Sequence, residues 1–300
     1  MMLLDYLVDY ALQINSDCLR IVLSRETHST NTDTQQFSSD ALHRIDENLG
    51  RLKALWHLVK PAVTKARYQC AMDRLDSLSQ MLAVELDRAS VLGLIDKLKA
   101  RTDKKKALAL LEATETEISV ERSVRRHDIQ AISLVLQEES RDWRELQPAE
   151  KIDDDRLLAR YAIYYRKSQR KGSAVMHGRA DDWGANWPKT VSGTWFQLSL
   201  IKPSLTEANS ARQWYLGRLV QSLERTRTLN LLESYLSRGG VKVPGKLARL
   251  MQARWDKLHS RQMKLYDCIF GQKPEEYAAS VSEGVHNLQS LEQALESYSG

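Results

Sequence analysis

The sequence contains few of the residues that interrupt helices, cross-link chains or span membranes. Thirteen glycines, six prolines and three phenylalanines occur among 300 residues, so turn-forming positions are sparse. The three cysteines, Cys18, Cys70 and Cys268, are far apart and lack C-x-x-C spacing, which argues against a disulfide framework and a zinc site. No apolar run approaches the roughly 18 residues that a membrane-spanning helix needs. We therefore predict a protein without membrane association.

The chain also lacks the pattern of a secretory signal. Its first four residues are apolar, but Asp5 and Asp9 follow, with no basic segment and no small-residue cleavage site. We therefore expect a cytoplasmic protein. The net charge of +5 permits a polyanionic partner without specifying one.

Motifs of catalysis are absent as well. The sequence has no Gly-rich phosphate loop, nucleophile elbow, H-E-x-x-H motif or histidine pair at metal-ligand spacing. The acidic run Asp153, Asp154 and Asp155 precedes a predicted helix, where carboxylates cap the helix and complement its dipole. We predict that the protein is not an enzyme and has no catalytic residues, cofactor or metal site.

Strong helix formers dominate the sequence, and apolar residues recur at helical spacing along most of it. In one example, Leu247, Met251, Leu258 and Leu265 form an apolar stripe between basic residues. We therefore predict an all-α fold. The predicted helices cover residues 2–24, 39–60, 66–99, 103–145, 155–173, 188–202, 206–237, 245–270 and 274–298. A capping-box pattern at Ser204 marks the predicted start of the helix after residue 205.

A short internal repeat indicates that the chain has two similar halves. The tetrapeptide Leu-Val-Lys-Pro at 58–61 recurs as Leu-Ile-Lys-Pro at 200–203, and Lys202 follows Lys60 by 142 residues. Each copy ends a predicted helix and precedes a long leucine-rich one. We predict two pseudo-symmetric four-helix bundles with long helices, formed by residues 1–150 and 151–300 and together making one domain.

A histidine followed at the eighth and tenth positions by basic residues occurs in the first half, as His43, Arg51 and Lys53. This pattern resembles the signature helix of the CHAD family, the conserved histidine α-helical domain. The family also has a basic residue at the third and seventh positions, where this chain has Asp46 and Gly50. The second copy of the motif retains only Lys189 among its basic positions.

Further segments resemble family motifs in the same order along the chain. Residues 165–170, Tyr-Arg-Lys-Ser-Gln-Arg, are similar to the Tyr-Arg-Arg-Gly-x-Arg helix of the second half. Leu82 with Asp87, and Leu223 with the segment 227–229, are similar to two further leucine-containing motifs of the family. The resemblance therefore extends over nearly the whole chain.

The resemblance implies two helical bundles around a basic central channel that binds inorganic polyphosphate, and association with polyphosphate granules. The candidate polyphosphate-binding residues are His43, Arg51, Lys53, Arg166, Lys167, Arg170, Lys189, Arg225 and Arg227. Two alternatives stay open. In the first, the chain is a scaffold that kept the fold, lost the polyphosphate site and contacts a protein partner. In the second, it is a nucleic-acid-binding protein.

The seven tryptophans allow two interpretations, packing in the core and base stacking. Four lie among leucines at helical spacing, and we predict that these are buried: Trp56, Trp195, Trp214 and Trp255. Trp183 and Trp187 lie next to aspartate and glycine in a predicted loop, so we expect any exposed aromatic platform there.

Overall fold

The computed structural model describes residues 3–26, 38–120, 126–146, 153–177, 186–238 and 242–299. It contains ten α-helices within these ranges: α1 Leu3–Glu26, α2 Ser39–Val59, α3 Lys65–Lys99, α4 Lys105–Val120, α5 Arg126–Arg144, α6 Asp154–Met176, α7 Asn186–Leu200, α8 Glu207–Arg238, α9 Gly245–Phe270 and α10 Pro274–Ser299. None of the described residues forms a strand, and the prediction of an all-α fold is confirmed. In the same ranges, no helix has the length and apolar character needed to cross a bilayer.

The helices differ from the prediction in the middle of the first half. Where the sequence predicts one helix over 103–145, the structure has α4 and α5. Helix α4 contacts α3 and α8, whereas α5 contacts mainly α1 and also α3. Within the described ranges the first half therefore has five helices where we predict four, and the second half has the five that the predicted helices give.

Side-chain caps account for several of the helix starts. Ser38 accepts a hydrogen bond from the backbone N–H of Ala41, and Asp153 accepts one from Arg156 at 2.9 Å, as predicted for the acidic run. The prediction for α8 is wrong by two residues, because Thr206, not Ser204, accepts the first capping hydrogen bond. Ser204 belongs instead to a 3₁₀ turn that separates α7 from α8.

The order of elements is the same in the two halves. A 3₁₀ turn follows the second helix of each half, at Lys60–Ala62 and at Lys202–Ser204, and includes the lysine and proline of the repeated tetrapeptide. The packed pairs also correspond, because α1–α2, α2–α3, α3–α4 and α1–α5 match α6–α7, α7–α8, α8–α9 and α6–α10. A pseudo-twofold relation between the halves, and an origin by duplication, stay predictions.

The two halves share their hydrophobic cores. One core combines α1, α2 and α5 with α6, α7 and α10 and with the first parts of α3 and α8. The other core joins the last parts of α3 and α8 to α4 and the start of α9, with Leu94, Leu111, Leu232 and Leu247 among its members. Helices α3 and α8 therefore extend from the larger core into the smaller one. Each of these helices carries charged side chains along the stretch between the two cores.

Candidate polyanion-binding site

Two of the predicted site residues on α2 are paired with carboxylates. The guanidinium of Arg51 lies 2.6 Å from a carboxylate oxygen of Glu47, one turn earlier on the same helix. The ammonium of Lys53 lies 2.7 Å from Asp76 on α3 and 2.8 Å from the hydroxyl of Ser79. Because both side chains are only 20–29% exposed, these charges are neutralised locally.

Two more predicted cations are paired across the fold. Arg166 on α6 donates to Glu275 at the start of α10, and both side chains are exposed. Arg227 on α8 lies 2.6 Å from Asp87 on α3. Four of the nine predicted site residues therefore have a carboxylate partner within the protein.

The remaining five are exposed, namely His43, Lys167, Arg170, Lys189 and Arg225. Lys167 acts electrostatically on His57 and Arg225 acts on two arginines of α9, whereas His43, together with Lys53 and Arg227, acts on Asp46. The structure therefore distributes these residues among three different groups. It does not bring the nine together into one site.

The region between α2, α3 and α8 contains carboxylates where the resemblance implies a basic channel. Loss of hydration raises the pKa of Asp46, of Asp87 and of Glu224, although Glu224 as a whole residue is exposed. The charge of Asp46 raises the pKa of Glu224 further. We call these three residues the carboxylate cluster. A polyanion would be repelled at this position, even though Arg227 also lies there.

A compact basic cluster surrounds a largely buried histidine on α2, with α6 and the 3₁₀ turn at Lys60–Ala62 beside it. The backbone carbonyl of His57 accepts a hydrogen bond from Nε of Arg160 at 3.1 Å, and its ring lies 4.7 Å from that of Tyr164. Lys167 lies 5.8 Å from the Tyr164 ring centroid. Lys60, Arg160 and Lys167 have no carboxylate oxygen within 4 Å in the described part of the chain. We call this group the His57 cluster.

The electrostatics of the His57 cluster follow from burial and from these cations. Burial, and then the charges of Lys167, Arg160 and Lys60, lower the pKa of His57 to about 3, so its ring is neutral at physiological pH. The ring nitrogen Nδ1 lies 2.6 Å from the hydroxyl of Tyr68. The histidine thus has a structural role, and the three surrounding cations are the groups that an anion would meet.

The most extended basic surface lies on α8 and α9. Arg218 and Arg225 are exposed and seven residues apart on α8, and Arg254 and Arg261 are seven residues apart on α9. Seven residues are two helical turns, about 10.5 Å, so each pair lies on one face of its helix. Arg101, between α3 and α4, acts electrostatically on Arg254. We call these five residues the arginine rows.

Mutual repulsion shows that the two rows face one another. Partial burial and then the charges of Arg101 and Arg225 lower the pKa of Arg254. Partial burial and then the charges of Arg218 and Arg225 lower the pKa of Arg261. Among the residues that the structure describes, no carboxylate oxygen lies within 4 Å of any of the five guanidinium groups. The arginine rows are therefore a strip of positive charge without a salt bridge, although Arg225 also acts electrostatically on Glu224 of the carboxylate cluster.

No protein-family model, curated protein or solved structure matches this chain. The residues of the molecule itself must therefore carry any assignment of function.

The tryptophans are placed differently from the prediction. Trp187 is buried, at 1% exposure, so it offers no exposed platform, and Trp183 lies outside the described residues. Trp214, which we predict to be buried, is 57% exposed at the start of α8, with its ring 5.3 Å from the guanidinium carbon of Arg218. The reason is that α8 contacts four helices, α3, α4, α7 and α9, so apolar residues occur around most of its circumference and their spacing does not identify the buried face.

The sequence contains a signal for the arginine rows that the prediction did not use. A seven-residue repeat of arginine on each of two consecutive helices places both pairs at the same interval. Only the antiparallel packing of α8 on α9 brings the pairs into register, and that packing is not visible in either helix alone.

Within the described ranges, no group of three or more histidine, cysteine or acidic residues is arranged to hold a metal ion.

Proposed function

We propose that the protein binds an extended polyanion in the groove between α8 and α9, and that inorganic polyphosphate is such a ligand. The observation that carries this proposal is the arrangement of the arginine rows. The charges of Arg101 and of the two α8 arginines act on Arg254 and Arg261 and lower the pKa of each, and no carboxylate oxygen of the described residues lies within 4 Å of any of the five guanidinium groups. An anion placed between the rows would relieve this repulsion. The resemblance to the CHAD family supports polyphosphate as the ligand.

Arginine suits this ligand because its planar guanidinium group grips two phosphate oxygens at once. Binding also releases counterions condensed on a polyanion, so its strength should depend steeply on salt. The length of each row, about 10.5 Å along the helix axis between its two arginine positions, favours a chain of phosphates over a single phosphate ion.

The proposal moves the ligand away from the central channel that the resemblance implies. The carboxylate cluster repels a polyanion there, and the cations beside it, Lys53 and Arg227, are already paired. Of the predicted site residues, Arg225 belongs to the arginine rows, whereas Lys167 belongs to the His57 cluster.

The test removes two charges from the arginine rows. The double variant Arg218→Gln/Arg225→Gln should bind polyphosphate roughly 10- to 30-fold more weakly than the parent at 0.15 M salt, because each lost contact forfeits the release of about 0.7–0.9 counterion. Isothermal titration calorimetry or fluorescence anisotropy with polyphosphate of defined length measures the affinity.

A matched control removes the same net charge from another exposed surface. Arg141 and Arg144 are exposed near the end of α5, and Arg141→Gln/Arg144→Gln should change the affinity by less than about threefold, because only long-range, screened electrostatics is altered. Equal losses in the two double variants would mean that net charge alone governs binding, and the proposed groove would be wrong.

A non-catalytic scaffold that contacts a protein partner is the alternative function. It is favoured by the four predicted cations that pair with Glu47, Asp76, Asp87 and Glu275 within the protein. Undetectable binding of polyphosphate by the parent protein at 50 mM salt would leave this scaffold as the surviving account.

A further inference from the structure

An exposed tryptophan continues the arginine row of α8. Trp214, Arg218, Gln221 and Arg225 are spaced by four, three and four residues, which places them on one face of the helix, and all four are exposed. From Trp214 to Arg225 this face extends about 16 Å along the axis. The indole therefore lies at one end of the strip of positive charge.

The indole is held in place by its neighbours while more than half of it stays open to solvent. The guanidinium carbon of Arg218 lies 5.3 Å from the Trp214 ring centroid, within the range of a cation–π interaction. The ring of Tyr215 meets it edge-on, with centroids 5.0 Å apart. Of the other described tryptophans, Trp56, Trp143 and Trp187 are fully buried. The indole is therefore oriented by two contacts and still leaves more than half of its surface open to a ligand.

We propose that this groove takes single-stranded nucleic acid, with a base stacked on Trp214 and the phosphates along the arginine rows; the inference rests on the polyanion function proposed above. A bare polyphosphate chain has no group that an indole could stack on. A cationic groove combined with an aromatic platform is the recurring arrangement for binding a single strand with little sequence preference.

A single strand fits this surface better than a duplex does. In a duplex the bases are paired and stacked on one another, so an indole at the edge of a groove meets only the sugar–phosphate backbone and the base edges. In a single strand the base can turn outward and present its face. Arg218, which contacts the indole, is also placed to pair with the phosphate next to the stacked base.

The experiment compares two probes that differ only in their bases. One is an oligodeoxythymidylate of roughly 12 nucleotides, and the other is an abasic oligomer with the same number of phosphates. The parent protein should bind the thymidylate about tenfold more tightly, as expected for one stacked base. Trp214→Ala should remove this preference, so that this variant binds the thymidylate and the abasic oligomer with equal affinity. Trp214→Phe should retain most of the preference, because phenylalanine also has a face for stacking.

The outcomes separate this inference from the polyanion function. Stacking on Trp214 would be overturned if the parent bound the two oligomers with equal affinity, or if the preference for thymidylate survived in Trp214→Ala. Polyanion binding would stay intact in either case, and the exposed indole would then be assigned to a protein contact. Binding of the abasic oligomer and of polyphosphate that is insensitive to Arg218→Gln/Arg225→Gln would overturn both.

Discussion

Glu139 on α5 is a fully buried carboxylate that shares Arg74 with the carboxylate of Asp142, to which Arg74 also donates. Its Oε1 accepts hydrogen bonds from the indole N–H of Trp56 and, at 2.7 Å, from that of Trp143, and its Oε2 lies 3.5 Å from Nη2 of Arg74. Burial raises the pKa of Glu139, while the two hydrogen bonds and the charge of Arg74 lower it. This network joins α2, α3 and α5.

Removal of the arginine should be costly because the carboxylate stays behind. We predict that Arg74→Met lowers the free energy of unfolding by about 3–5 kcal/mol, since it leaves a buried charge uncompensated. Glu139→Gln keeps an oxygen acceptor for the indole groups and removes the charge, so we expect a loss of about 1 kcal/mol. In the Glu139→Gln background, the loss caused by Arg74→Met should shrink by about 1–3 kcal/mol.

The assay is urea unfolding at pH 7, followed by circular dichroism, for the parent, the two single variants and the double variant. Arg67→Met is the control, because Arg67 also joins α3 to α5 but donates to the backbone carbonyls of Asp142 and Glu145. Its effect should be additive with Glu139→Gln. A loss below about 1 kcal/mol for Arg74→Met, or additivity of Arg74→Met with Glu139→Gln, would refute the reasoning.

Three further predictions concern protonation, packing and the carboxylate cluster. Because the pKa of His57 is lowered to about 3 in the folded protein, the unfolded state binds a proton on this histidine first as pH falls. The free energy of unfolding should therefore fall by up to about 1.4 kcal/mol per pH unit below about pH 6.5. His57→Gln should reduce this slope in urea unfolding between pH 7 and pH 5, and an unchanged slope would contradict the lowered pKa of His57. Gly284→Ala should destabilise the protein by about 1–3 kcal/mol, because the added Cβ would lie 2.2 Å from the carbonyl oxygen of Ser204. Gly93→Ala, where the added Cβ would have nothing within 4 Å, should stabilise it by about 0.5–1 kcal/mol. A change of the same sign in the melting temperature of both variants would contradict these expectations. Asp46→Arg should change polyphosphate affinity by less than about threefold, and a tenfold gain in calorimetry would instead place the ligand in the central channel.

Local sequence patterns were sufficient for the helices and for some of their ends. The acidic run caps α6 as predicted, because the backbone N–H groups that it satisfies lie within three residues. The repeated tetrapeptide correctly marked the ends of α2 and α7, since proline ends a helix whatever lies around it. The prediction of one long helix over 103–145 was wrong, because in the folded chain this stretch forms two helices, α4 and α5, that pack separately.

The candidate site depended on contacts between residues far apart in the sequence. Whether Arg51, Lys53 or Arg227 is available to a ligand is decided by carboxylates that the fold brings to them, and Asp87 is 140 residues from Arg227. The exposure of Trp214 likewise follows from the way four other helices pack around α8. Composition and spacing identified basic segments, but the tertiary structure determines which of the charges remain unpaired.

The salt dependence of polyphosphate binding reports how many phosphates the arginine rows contact. If all five guanidinium groups of the arginine rows contact phosphates, a plot of log K against log salt concentration should have a slope of about −3.5 to −4.5, measured by titration from 50 mM to 300 mM salt. Arg218→Gln/Arg225→Gln should make this slope shallower by about 1.4–1.8. A parent slope near zero, or a slope that is the same in the double variant, would contradict the binding of a polyanion between α8 and α9.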